Sequence, residues 1–144
     1  MTNRPSIVNC MMATAWIWAK RSSCSRLQVG CVISNEDFTK IDAIGYNGGA
    51  KGLENDCESL EPGMCGHLHS EINALIKANY DIPNKRMFIT HSPCKQCTKA
   101  IINGRIAQVY YNIEYRDKEP LAMLARCGIA AIRITEDFSS WTIK

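Results

Sequence analysis

At 144 residues, with 46% hydrophobic and 22% charged content, the chain has room for one domain with a full core and too little for two. Its formal net charge is +3 and no Lys/Arg run exceeds two residues, which argues against a nucleic-acid footprint and suits a small anionic partner. With no secretory leader expected, eight cysteines argue against the disulfide framework of small secreted proteins and favour metal ligation.

From Pro5 to Ala19 the chain carries no charge, and Ile7, Val8, Met11, Met12, Ala15, Trp18 and Ala19 share one face of a helical wheel. The run is shorter than the ~18 residues of a membrane span. Lys20-Arg21 stands where a signal peptide needs small residues. The expectation is an amphipathic core helix in a cytoplasmic protein. VGCVIS (29–34) and FTKIDAIGYN (38–47) predict an antiparallel hairpin turning at Asn35-Glu36-Asp37. Residues 47–66 are rich in Gly, Asn, Asp, Glu and Pro and read as a long loop, a kind that is usually functional.

Ile72, Leu75, Ile76 and Tyr80 recur at helical spacing and predict a helix over 68–79, followed by a strand at RMFIT (86–90). Ser92 is expected as the next N-cap, with Pro93 at the first helical position and Gly104 closing the helix. IAQVYY (106–111) predicts a strand, Pro120 to Cys127 a helix, and GIAAIRI (128–134) a last strand. The order α-β-β-α-β-α-β-α-β predicts a single α/β domain over 1–144. Its five-stranded mixed sheet is parallel in the second half and carries helices on both faces. Cys10, Cys31 and Cys127 fall in apolar patterns and are expected in the core.

The remaining cysteines suggest chemistry. Cys94 and Cys97 lie one helical turn apart at a predicted helix start, where the helix dipole favours thiolates. With His69 they make a three-ligand set suited to a catalytic Zn²⁺, which keeps one position open for water. Glu71, two residues after His69, is a candidate proton shuttle. H-x-E followed by P-C-x-x-C matches the signature of zinc deaminases, which remove an exocyclic amine from a nucleobase.

Four blocks then carry a family resemblance over essentially the whole chain: CSRLQVGCVI (24–33), GYNGGAKG (45–52), HSEINAL (69–75) and SPCKQCTKAIINGRI (92–106), with VYYNIEYRD (109–117) beside them. The chain resembles the deoxycytidylate (dCMP) deaminases. That resemblance implies a three-layer cytidine-deaminase-like fold and hydrolysis of dCMP to dUMP and ammonia, supplying dUMP for thymidylate synthesis. It assigns the catalytic zinc to His69, Cys94 and Cys97, and the proton shuttle to Glu71. Arg26 and Tyr115 would hold the 5′-phosphate, Asn47 the sugar or base, and Ser92 would lie where a backbone carbonyl meets the exocyclic amine.

The resemblance also implies a hexamer regulated by dCTP (activating) and dTTP (inhibiting) with Mg²⁺, at a loop including Gly45, Tyr46, Asn47, Gly48 and Gly52. Ala50 stands where the family carries a proline, and Ser70 where it carries an alanine. A second, structural Zn²⁺ is expected on Cys24, Cys57, Cys65 and His67, while His91 is expected to be an ordinary strand-end residue. Two other readings stay open: a deaminase of another cytosine nucleoside or nucleotide, and a non-catalytic zinc-stabilised nucleotide sensor. A polynucleotide substrate fits less well, because Trp16, Trp18 and Trp141 stand away from the motifs in sequence. No membrane or nucleic-acid partner is expected.

Overall fold

The alternation of buried side chains along the strands builds the molecule. In the computed structural model, which describes residues 3–54, 61 and 65–141, the elements follow the predicted order. They are α1 (Ile7–Ala19), β1 (Gly30–Ser34), β2 (Ile41–Tyr46), α2 (Ser70–Lys77), β3 (Lys85–His91), α3 (Lys95–Asn103), β4 (Ile106–Ile113), α4 (Glu119–Arg126) and β5 (Ala130–Arg133). The sheet runs β2-β1-β3-β4-β5. β1 is antiparallel to both β2 and β3, while β3, β4 and β5 are parallel.

Period-two alternation sends Cys31, Ile33, Met87, Ile89 and Val109 to one face, where Ala74, Ile101 and Leu124 of α2, α3 and α4 close over them. Val32, Phe88 and Tyr110 face the other way, against Met12 and Ala15 of α1 and against Ile134 and Phe138. The result is a three-layer mixed sheet, as expected. Among the described residues no helix is long and apolar enough to cross a membrane.

Several boundaries differ from expectation for identifiable reasons. The cap of α3 is Cys94, with its backbone extended (φ −76, ψ 171), and the helix starts at Lys95. Ser92 cannot cap it because Ser92 is tied to β4. Its N–H donates to the Ile113 carbonyl at 2.8 Å, and its Oγ accepts the Tyr115 N–H at 2.9 Å. Helix α2 starts at Ser70 rather than Leu68, since Leu68 exchanges both backbone hydrogen bonds with Gly48. Cys31 is buried as expected, but Cys10 and Cys127 are exposed. Cys10 lies off the buried face of α1 marked by Met12 and Ala15, and Cys127 is the C-cap of α4.

Two close approaches fix where the site will be. Gly45 lets β2 run against α2, where a Cβ would lie 2.2 Å from the Ser70 carbonyl oxygen. Lys85 is fully buried at the start of β3, and its Nζ donates to the carbonyls of Asn79, Tyr80 and Ile82. That cap closes the turn between α2 and β3.

Candidate active site

Helices α2 and α3 begin side by side, and their first residues meet. His69 caps α2 with extended backbone (φ −70, ψ 155), Cys94 caps α3, and Cys97 lies in the first turn of α3. His69 Nδ1 is 3.2 Å from Cys97 Sγ and 3.5 Å from Cys94 Sγ, and the three ligand atoms lie within 4.8 Å of one another. Cys94 is held down at about 4 by the Cys97 thiol that donates to it and then by His69, whereas Cys97, as that donor, is pushed up. The hydrogen bond to Cys94 raises His69. Two sulfurs and an imidazole sharing protons this closely fit a soft dication, and the donor set is that of Zn²⁺.

Glu71 stands beside this cluster at 4% exposure. Burial raises its pKa, against the Ser70 hydroxyl that donates to Oε1 at 2.5 Å. A carboxyl group raised towards neutrality can both take and return a proton.

Cys24, Cys65 and His67 form a second group. All three are buried, and their ligand atoms lie within 4.8 Å of one another. Cys57, the fourth expected member, lies outside the described residues. The backbone under Cys24 is anchored by Ser22, whose Oγ accepts the Cys24 N–H and donates to the Asn47 carbonyl at 2.7 Å.

At the carboxyl ends of β3, β4 and β5 lies a groove of about 1190 Å³, lined among others by Arg26, Trp16, His91, Asn112, Arg133 and Trp141. Arg26 is exposed there. Tyr115 is 39% exposed and its hydroxyl is pushed up to about 12, first by burial and then by the Glu71 carboxylate, with Arg26 opposing. These mutual effects bring Tyr115, Arg26 and Glu71 into one neighbourhood.

Asn47 is 7% exposed, and its amide clamps the neighbouring chain: Oδ1 accepts the Val29 N–H at 2.8 Å, and Nδ2 donates to the Leu27 carbonyl at 2.7 Å. Among the described residues Nδ2 makes no second hydrogen bond. Gly45 and Tyr46, expected in a loop, are the last residues of β2; Tyr46 stacks on Trp18 (6.3 Å, 6°) under Arg21, Gly48 bridges to Leu68, and Gly52 has φ +87 with open space around it.

A family model for the cytidine and deoxycytidylate deaminase zinc-binding region matches residues 6–113. The chain belongs to this deaminase family. It is similar to the deoxycytidylate deaminase of Saccharomyces cerevisiae, 34% identical over 139 residues that cover 88% of this chain and 44% of that protein. The Homo sapiens deoxycytidylate deaminase is 33% identical over 122 residues, covering 75% of this chain and 66% of that protein. A crystal structure of the cyanophage S-TIM5 dCMP deaminase in complex with dCMP and dUMP superposes with a TM-score of 0.80 at 33% identity, covering 92% of this chain and 100% of that one. The chain spans about half the length of the first curated relatives it matches, 44% of the yeast protein and 58% of the Bacillus subtilis ComE operon protein 2.

Two features of this deaminase-family chain escaped sequence reasoning. His91 is no ordinary strand-end residue: its ring packs on Tyr115 (5.7 Å, 23°) and Trp16 (5.4 Å, 59°) and lines the groove with Arg26. Trp16, remote from the motifs in sequence, is brought to them because α1 packs across β1 and β3. It is held there by an Nε1–H bond to Asn112 Oδ1 at 3.0 Å. The one sequence signal for His91 was its place immediately before SPC.

Proposed function

We propose that this chain is a zinc-dependent enzyme that hydrolyses dCMP to dUMP and ammonia. The observation that carries this reading is the convergence of His69, Cys94 and Cys97 beside the buried carboxyl group of Glu71. The solved relative in complex with dCMP and dUMP supports the choice of substrate and product. Zn²⁺ held by these three residues would activate a water for attack on the ring carbon that bears the amine. Glu71 would take one proton from that water and give it to the ring nitrogen, then take the remaining proton of the added hydroxyl and deliver it to the departing amine, which leaves as ammonia. Burial raises its pKa, which strengthens it as the acceptor of that proton.

Arg26 pairs with the 5′-phosphate, where a planar guanidinium matches phosphate geometry, and Tyr115 adds its hydroxyl. Asn47 uses its remaining amide hydrogen on the sugar or base, and the Ser92 region supplies the backbone carbonyl for the exocyclic amine. Cys24, Cys65 and His67, with Cys57, hold a second zinc that anchors the loop after β2. Gly45 and Tyr46 at the end of β2, with Asn47, Gly48 and Gly52 in the loop after it, read dCTP as activator and dTTP as inhibitor, with Mg²⁺, in a cytoplasmic hexamer. Ala50 in place of the family's proline leaves that loop less rigid.

Ammonia release from dCMP, deoxycytidine and cytidine by the zinc-loaded protein tests the activity. Preferred turnover of dCMP is expected, and no turnover of any cytosine nucleotide would overturn it. Metal analysis should give about two zincs per chain, and about one would remove the second site. Initial rates against dCMP with and without dCTP and dTTP test the regulation, and rates insensitive to both would overturn it.

A further inference from the structure

We infer that His91 is a specificity residue of the nucleotide site, offering its Nε2–H to the substrate phosphate beside Arg26. The inference rests on the dCMP reading above and starts from the hydrogen bonds behind the ring. The Gly30 N–H donates to Thr90 Oγ1 at 3.1 Å, and Thr90 Oγ1 lies 2.8 Å from His91 Nδ1. Thr90 is fully buried, and its hydroxyl proton has no acceptor besides Nδ1 among the described residues. The hydroxyl therefore donates to Nδ1, and the proton of the neutral ring sits on Nε2. Burial keeps the imidazole far below its usual range, at about 4, so the ring is neutral when the enzyme works.

The ring is also fixed in direction. Tyr115 stacks on it and Trp16 packs against it, and Trp16 is itself pinned to Asn112. Among the described residues Nε2 has no protein acceptor, yet it is not one of the buried polar atoms left unpaired. It therefore opens onto the groove that His91 lines. Arg26 lines the same groove, so an anionic oxygen there can be met by a guanidinium and a neutral N–H together. Of the groups on a nucleoside monophosphate, the phosphate has enough acceptor oxygens to serve both.

The test compares dCMP with deoxycytidine, which lacks the phosphate. H91F keeps an aromatic ring in the stack and removes the donor. It should lower kcat/KM for dCMP by about tenfold to a hundredfold, mainly through KM, as expected for loss of a hydrogen bond to a charged group. Its rate on deoxycytidine should stay within about twofold of wild type. H91Q, which restores an N–H, should recover part of the loss. Wild-type kinetics of H91F on dCMP would overturn the inference. So would an equal loss on both substrates, which would assign His91 to the general packing of the site rather than to the phosphate.

Where H91F does not fold or retain zinc, H91L is measured instead. Failure of both to fold would make His91 a folding residue and overturn the inference. A wild-type chain inactive on every cytosine substrate overturns the proposed function as well, whereas an active wild type with unaffected H91F overturns this inference alone.

Discussion

Replacing Gly45 by alanine would put a methyl group where helix α2 already stands. An ideal Cβ at this position lies 2.2 Å from the Ser70 carbonyl oxygen and 2.6 Å from the Ala74 nitrogen, whereas ordinary contact begins at 3.4 Å. Both obstacles are backbone atoms of α2, so no rotamer change relieves them, and strand and helix must part by roughly 1 Å. Overpacking of this kind costs about 1–3 kcal/mol, and rigid obstacles put Gly45→Ala at the upper end. For a chain of this size, about 3 kcal/mol lowers the melting temperature by roughly 10 °C. The functional cost is separate. Helix α2 carries Glu71 in its first turn and His69 at its cap. A displacement of ~1 Å there should reduce turnover by about a hundredfold even in molecules that remain folded. Thermal melts followed by circular dichroism, zinc per chain and dCMP turnover at a temperature where the variant is folded measure the two effects. A melting temperature within about 1 °C of wild type, with unchanged turnover, would refute the reasoning.

Glu71→Gln keeps the shape of the side chain and removes its base. It should retain zinc and lose turnover by about 10²- to 10⁴-fold, and an active variant would take Glu71 out of the mechanism. Lys85→Met strips the cap from the carbonyls of Asn79, Tyr80 and Ile82 and should cost about 2 kcal/mol in urea unfolding. A change below ~0.5 kcal/mol would mean that water replaces the cap freely. His91 makes stability depend on pH. Its folded value of about 4 lies below the ~6.5 of the unfolded chain, so the unfolded state takes up the proton first as pH falls. Its contribution, at most about 3 kcal/mol, is complete above pH ~6.5 and is lost between there and ~4. His91→Phe should therefore flatten the stability slope over that window, and equal slopes would refute the assignment. Cys65→Ser should reduce zinc from about two per chain to about one, with a large fall in melting temperature. An unchanged zinc content would show that the second group holds no metal.

Much of the fold was legible because it rests on periodicity. Val32 between Cys31 and Ile33, and Phe88 between Met87 and Ile89, sort to opposite faces by alternation alone. The alternation of helix and strand after residue 68 foretold the parallel half of the sheet. What sequence could not show were competitions decided at long range. Ser92-Pro93 satisfies the local rule for a helix start, yet the Ser92 hydroxyl is claimed by the Tyr115 N–H, 23 positions away, and the cap passes to Cys94. Asn47 looked like a ligand-binding or turn residue, and no sequence signal showed that its amide also ties Leu27 and Val29 to the loop after β2. Trp16 and His91 are 75 positions apart, and no local signal joins them until α1 is laid across the sheet.

Under the proposed function the arrangement separates chemistry from selection. The metal cluster sits where α2 and α3 begin, so two positive helix ends favour its thiolates and any anion that develops beside them. The groove is built from other parts: α1, the carboxyl ends of β3 and β4, and the segment after β5. The two meet at His91, the last residue of β3, at Ser92 just before the cap of α3, and at Tyr115 after β4, whose N–H donates to Ser92 Oγ. Leu68 supplies the second join. Its two backbone hydrogen bonds to Gly48 hold the short segment between His67 in one cysteine–histidine group and His69 in the other. A substitution on α1 or in the last segment can therefore reshape the groove without moving His69, Cys94 or Cys97. A substitution between Cys65 and His69 cannot, because the same few residues reach both groups.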